Sequence, residues 1–185
     1  MIDLQQWQYP NPQQSPWQLE GNTLKVQVSE GNMWGAGGVA ANNLFLYKST
    51  PSSDYTVQVG VKLAPNRAFE QAGIGLYWDN DNYIKISKEM FNGRLSLVFV
   101  TEHKGNPMVN ALMDYPDSDV MLRLEKKQGR VIAMLSADNG IEWQNIGSTE
   151  LLEGKESALM LYTFSGSKIT PNMAQFTDLQ IEPMS

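Results

Sequence analysis

The groups able to do chemistry are few. The chain has no cysteine and one histidine, His103. A thiolate nucleophile or a cysteine-bearing metal site therefore cannot be drawn, and a Ser-His-Asp triad or multi-histidine metal site must use His103 or fail. Near it in sequence, Gln71, Tyr77, Tyr83, Lys85 and Glu102 place an amide, two phenols, an amine and a carboxylate on neighbouring strand-like runs. Sugars are held by aromatic faces against their C–H patches, with carboxylates, amines and amides fixing the hydroxyls, so the set fits a saccharide ligand. Hydrolysis of a glycoside needs two carboxyl groups about 5 to 10 Å apart. Glu89 falls opposite Ser96 in the expected pairing, six residues from Glu102 and so roughly 20 Å away. No catalytic residue is assigned, and a binder is favoured over an enzyme.

Two other segments carry chemistry-bearing residues. Asp79-Asn80-Asp81 is dense in hard oxygen donors. No later glutamate stands at the EF-hand position, however, and Asx residues make turns, so no metal ligand or cofactor is assigned. Glu30 to Gly38 is glycine-rich and holds Trp34. No Gly-Lys-Ser/Thr follows, which excludes a nucleotide cradle. Trp34 reads either as a lid or stacking platform or as a plug closing the end of the core.

The elements that must position these residues are strands. Tyr55, Val57, Val59, Val61 and Leu63 alternate with Thr56, Gln58, Gly60 and Lys62, the period of a half-buried strand. Similar runs at 24–28, 44–47, 71–78, 82–90, 94–102, 120–125, 131–136, 158–164 and 176–181, bounded by turn residues, give about ten strands and an all-β, two-sheet antiparallel sandwich. One pairing alone puts the apolar residues of 71–102 on one side. A three-residue loop at Asp79 to Asp81 sets Tyr77 against Tyr83 and Ile74 against Ile86. The Asn92-Gly93 hairpin then pairs Phe91 with Arg94, Lys85 with Val100 and Tyr83 with Glu102. Ile74, Leu76, Ile84, Ile86, Leu95, Leu97 and Phe99 face the core. Gln71, Gly73, Gly75, Tyr77, Tyr83, Lys85, Ser87, Glu89, Arg94, Ser96, Val98, Val100 and Glu102 remain outside, flanked by Gln58, Gly60 and Lys62 of the preceding strand. Glycines inside strands imply close approach of something to the backbone. The expectation is a solvent-facing groove, floored by glycine and rimmed by Tyr77, Tyr83, Lys85 and Glu102, with His103 at the strand end either touching it or exposed in the loop; the alternative is a face covered by a loop or a second subunit.

The 185 residues fit one domain, 1–185, with 1–16 as a surface-lying arm pinned by Trp7 and Trp17. Fourteen basic against twenty acidic residues give a net charge of −6, which argues against nucleic acid as a partner. No apolar stretch approaches the ~20 residues of a membrane span. No signal peptide is visible, so a cytoplasmic location is expected. Oligomeric state is not set by the sequence.

The run from Gln71 to Ile86, Gln-Ala-Gly-Ile-Gly-Leu-Tyr-Trp-Asp-Asn-Asp-Asn-Tyr-Ile-Lys-Ile, resembles the hairpin signature of the DUF1349 family. That family is similar to the C-terminal sandwich of family 43 β-xylosidases and to the yeast regulation-of-enolase protein. The likeness extends from Trp17 to Ile181. It implies a concanavalin A-like jelly roll of lectin- or glucanase-like type, with Gln71, Tyr83, Lys85 and Glu102 at recurring polar positions and Trp34 at an aromatic one. Resemblance to the enolase regulator implies the alternative of a protein-interaction sandwich. The Glu-x-Asp-x-x-Glu strand motif of concanavalin A-like endoglucanases is missing. Ser136 to Trp143, Ser-Ala-Asp-Asn-Gly-Ile-Glu-Trp, looks like an Asp box, whose aspartate and glycine shape a turn with the tryptophan folded back beneath it.

Overall fold

Every period-two run forms a strand, and four further strands join them. The computed structural model describes residues 4–10, 16–36, 43–152, 156–168 and 171–184. A 3-10 turn at Leu4–Gln6 leads into β1 (Trp7–Gln8), β2 (Trp17–Glu20), β3 (Thr23–Gln27), β4 (Asn43–Tyr47), β5 (Tyr55–Lys62), β6 (Gln71–Asp79) and β7 (Asn82–Phe91). These are followed by β8 (Arg94–His103), β9 (Asn106–Asp114), β10 (Asp119–Lys127), β11 (Arg130–Ser136), β12 (Gln144–Glu150), β13 (Ala158–Phe164) and β14 (Met173–Pro183). One sheet has the order β1-β4-β13-β6-β7-β8-β9 and the other β12-β11-β10-β5-β14-β3-β2, with all these pairings antiparallel. The sheets enclose a core drawn from both, including Val57, Val59, Ile74, Ile84, Ile86, Phe99, Leu122, Leu161 and Phe176. Among the described residues no helix is long and apolar enough to cross a membrane.

The central hairpins have the expected register: Ile74 opposes Ile86, Tyr77 opposes Tyr83, Lys85 opposes Val100, Tyr83 opposes Glu102 and Phe91 opposes Arg94. The first turn reaches that register differently from the expected three-residue loop. Asp79 pairs with Asn82, and an irregularity between Tyr77 and Asp79 absorbs the odd residue. Asp79 Oδ1 accepts the Asp81 backbone N–H at 2.8 Å and the Asn82 amide at 2.9 Å. Asn92 and Gly93 both have positive φ, 49° and 79°, as a two-residue hairpin turn requires. Of the residues expected in the core, Leu95 is only half-buried.

The expected placement of β5 is wrong. It lies in the other sheet, between β10 and β14, so Gln58, Gly60 and Lys62 flank a different surface from Gln71 and Lys85. Gln58 Oε1 there accepts two hydrogen bonds from Arg123, whose guanidinium stacks on Trp143 at 3.9 Å. Asp138 Oδ1 accepts from Ser136 Oγ at 2.7 Å and from the Glu142 backbone at 2.9 Å, so the Asp box closes its turn as anticipated. In the arm, Trp7 is buried against Tyr47, and Tyr9 stacks on Trp17; residues 1–3 and 11–15 of that arm lie outside the described residues, as do Gly37 and Gly38 of the glycine-rich loop.

Candidate functional site

The outer face of the first sheet is not the open polar groove that alternation suggested. Its middle is filled by β13, whose Met160, Tyr162 and Phe164 point outward. Ala158, Met160 and Tyr162 stand opposite Tyr77, Gly75 and Gly73 of β6. A Cβ at Gly73 would collide with the Ile86 carbonyl oxygen and the Tyr162 hydroxyl; one at Gly75 would meet Met160 and the Ile84 carbonyl. These glycines make room for the protein's own side chains. Met33, Leu44, Leu46, Tyr83 and Tyr162 complete an apolar cluster on this face.

The segment from Glu30 to Ala36 crosses the same face. Its start is anchored on Ser165, which accepts the Gly31 N–H and donates its own N–H to Ser29. Further along, Tyr83 Oη donates to the Met33 carbonyl at 2.5 Å, and Gly35 N–H donates to Glu102 Oε1 at 2.6 Å, with Tyr83 Oη 3.1 Å from that same oxygen. Tyr83 and Glu102 are thus buried beneath the loop, not at a solvent-facing rim. Burial raises the Glu102 carboxyl above the usual range, against the Gly35 and Tyr83 hydrogen bonds, which lower it. Met33 plugs the cluster while the neighbouring Trp34 stays 48% exposed.

Beside the loop the face opens into a cleft of about 560 Å³. Its floor is Gln71, Lys85, Glu89, Val98 and Val100, and its aromatic walls are Trp34, Phe69, Phe91 and Phe164. Phe69 is 43% exposed and packs edge-on against Phe91 at 6.1 Å. Its φ is +58°, a conformation rare for a bulky residue and concentrated at functional sites. It is held by its N–H to the Met90 carbonyl and by close packing on Gly166, where a Cβ would stand 2.8 Å from the Ala68 oxygen.

The floor carries opposite charges. Lys85 Nζ donates to Gln71 Oε1 at 2.5 Å and lies 5.1 and 5.7 Å from the ring centroids of Tyr162 and Phe164. Gln71 is fixed in turn by its amide N–H to the Phe69 carbonyl, 3.0 Å. Glu89 Oε1 accepts from Ser87 Oγ at 2.9 Å. Burial pushes the Lys85 amine down and the Glu89 carboxyl up, while each charge favours the ionised form of the other.

Of the residues the sequence singled out, Trp34, Gln71 and Lys85 meet in this cleft. Tyr83 and Glu102 hold the loop beside it. Tyr77 is half-buried and bonded to Asn80, and His103 is exposed at the tip of the β8–β9 hairpin; neither lines the cleft. Phe69, Phe91 and Phe164 were missed. Glu89 was placed on the correct face but given no role beyond its failure to pair with Glu102. Among the described residues no cluster of three or more histidines or carboxylates is arranged to hold a metal.

These features define a two-sheet antiparallel sandwich with an aromatic-walled cleft on one outer face. The chain belongs to the family described as "Protein of unknown function (DUF1349)", which matches residues 10–184. In structure it is similar to a mutant of the GH43 protein BlXynB from Bacillus licheniformis, with TM-score 0.84 and 18% identity over 97% of this chain and 37% of that one. It is likewise similar to a functionally unknown protein from Saccharomyces cerevisiae, with TM-score 0.80 and 16% identity over 100% of both chains. A third likeness is to carbohydrate binding module CBM66 from Bacillus subtilis, with TM-score 0.63 and 13% identity over 96% of this chain and 95% of that one. At such identities the likeness shows the fold alone, and the chain spans little more than a third of the GH43 protein. No curated protein matches the chain in sequence.

Proposed function

We propose that the chain is a carbohydrate-binding accessory module and that the cleft between Trp34 and Phe69 is its sugar site. The observation that carries this reading is the combination of four aromatic walls with a floor of amine, amide and carboxyl in a cleft of about 560 Å³, within the size range of small-ligand sites. The rings offer faces to the C–H patches of a sugar, and Lys85, Gln71 and Glu89 offer donors and acceptors to its hydroxyls. The fold likeness to a carbohydrate binding module supports the same reading. Glu89 is the one carboxylate among the described lining residues, whereas hydrolysis needs two, which favours binding over turnover.

Calorimetric titration against a broad panel of mono- and oligosaccharides tests the proposal. A subset should bind, and Trp34→Ala should weaken that binding roughly three- to tenfold with no change in melting temperature, since a stacking contact contributes about 0.5 to 1.5 kcal/mol beyond its area. Failure of the unaltered protein to bind any member at about 10 mM would overturn the reading, a concentration that would detect even very weak sites.

A further inference from the structure

Lys85 and Glu89 stand four residues apart on the same face of β7 with Ser87 between them, and each is only 3% exposed. Among the described residues the ion pairs are Lys25 with Glu20, Arg94 with Asp114 and Arg123 with Glu125, all away from this floor. The two charges in the cleft are thus close enough to influence one another yet not in direct contact. An ammonium has three donors; the Lys85 hydrogen bond to Gln71 uses one. A carboxylate accepts through both oxygens; the hydrogen bond from Ser87 occupies one oxygen of Glu89. The floor has spare hydrogen-bonding capacity of both kinds, held at zero net charge.

Building on the carbohydrate reading of the cleft, we infer that its ligands are uncharged sugars, which place neighbouring hydroxyls against Lys85 and Glu89, and that uronic acids and amino sugars are rejected. A hydroxyl accepts and donates at once. One sugar hydroxyl can take a Lys85 N–H while its neighbour gives its proton to the free Glu89 oxygen, so both charges gain partners and no charge is added. A uronate brings a second negative charge beside Glu89, and an amino sugar a second positive charge beside Lys85. Either turns a floor of balanced charge into a buried group of three charges with one in excess, which costs more than the added attraction returns. Glu102 acts on Lys85 through its charge but offers a ligand no oxygen to bind, because it lies beneath the loop with one oxygen bonded to Gly35 and the other buried. The aromatic walls select ring shape and not charge, so selection by charge falls to the floor.

The experiment is a titration of the full chain with methyl glycosides of neutral pentoses and hexoses and their short oligomers, set against glucuronic acid, galacturonic acid and glucosamine. Neutral sugars should bind at least ~10-fold more tightly than the charged ones, given that like charges placed together across an interface cost several kcal/mol. Glu89→Gln should bring the uronic acids level with or ahead of the neutral sugars, and Lys85→Met should do the same for glucosamine. Melting curves check that each variant folds; if one does not, the ranking on the unaltered protein still decides. Uronic acids or glucosamine binding the unaltered protein as tightly as neutral sugars would overturn the inference and leave the carbohydrate reading standing. Absence of binding by any sugar would overturn both.

Discussion

Gly60, Gly73 and Gly75 look alike in the sequence, each a glycine inside a strand, yet the structure assigns them different duties that a single substitution at each can separate. At Gly73 an added methyl meets backbone on one side, the Ile86 carbonyl and Ser87 Cα, and the Tyr162 hydroxyl on the other. Backbone in the middle of a seven-stranded sheet cannot swing aside as a side-chain end can. Overpacking a core usually costs about 1 to 3 kcal/mol, and a clash with backbone belongs at the upper end or beyond. The entropic gain of replacing glycine, about 0.5 to 1 kcal/mol, offsets little of it. Gly73→Ala should therefore lose about 3 kcal/mol, lowering the melting temperature by roughly 6 to 12 °C at this chain length. At Gly60 the same methyl would stand 3.4 Å from the Thr177 carbonyl, ordinary contact, so Gly60→Ala should be neutral or stabilise by up to about 1 kcal/mol. Urea unfolding at neutral pH measures both. A Gly73→Ala protein as stable as the parent would refute the claim that these glycines accommodate Tyr162 and Met160, and would return Gly73 to the floor of a ligand groove.

Two further outcomes concern pH. Lys88 is buried in the core-facing row of β7, donates to the Tyr115 carbonyl at 2.6 Å, and is pushed down to about 8 by that burial. The unfolded chain, with lysine near 10.4, binds the extra proton between these values, so stability should rise from pH 8 toward pH 10 by roughly 1 to 2 kcal/mol, less than the full shift because solvent screens the charge; Lys88→Met should flatten that rise in pH-dependent melts. Glu89 and Glu102 are raised by burial, so the folded protein keeps their protons after the unfolded chain has lost them, and stability should fall as pH rises above about 4.3. Glu102→Gln should weaken that slope, and an unchanged profile would show that this carboxyl is not buried as described.

The central hairpins were legible because two independent signals agreed there: strict apolar alternation, and an Asn-Gly turn whose two left-handed residues fix the pairing. What failed was the assumption that strands adjacent in sequence are adjacent in space. The connection between β5 and β6 passes from one sheet to the other, and nothing in the alternation of either strand records that. The edge strands β2, β9 and β12 escaped notice because an edge needs little apolar character and tolerates Pro107 within β9. The covering of the outer face did leave a trace. Ala158 to Phe164 reads Ala-Leu-Met-Leu-Tyr-Thr-Phe and is buried along its whole length; a strand without a polar face must be covered on both sides, so the sheet that holds it could not present an open polar surface there. Phe69 had no such trace, since its role depends on a left-handed backbone in a loop between two sheets.

The polar residues picked out in sequence divide between two jobs, and the division explains how a flat sheet acquires a cleft. A sheet face alone offers little concavity to a small ligand; depth comes from what stands on it. Tyr83 and Glu102 place their polar atoms under residues 33–35, where the hydroxyl donates to the Met33 carbonyl and the carboxyl accepts the Gly35 N–H. Those two bonds flank Trp34 in the chain, and with the Met33 side chain buried just before it the backbone has little freedom to carry the indole elsewhere. Trp34 is consequently a wall because two buried side chains that do not themselves line the cleft fix the segment that bears it. Gln71 works in the same way on the other side: it takes one Lys85 N–H and gives its own amide to the Phe69 carbonyl, linking the charged floor to the opposite aromatic wall. Each aromatic wall is therefore tied to its own buried anchor, Trp34 to Tyr83 and Glu102 and Phe69 to Gln71, and a change at either anchor should be felt at the exposed rings before it is felt in the core.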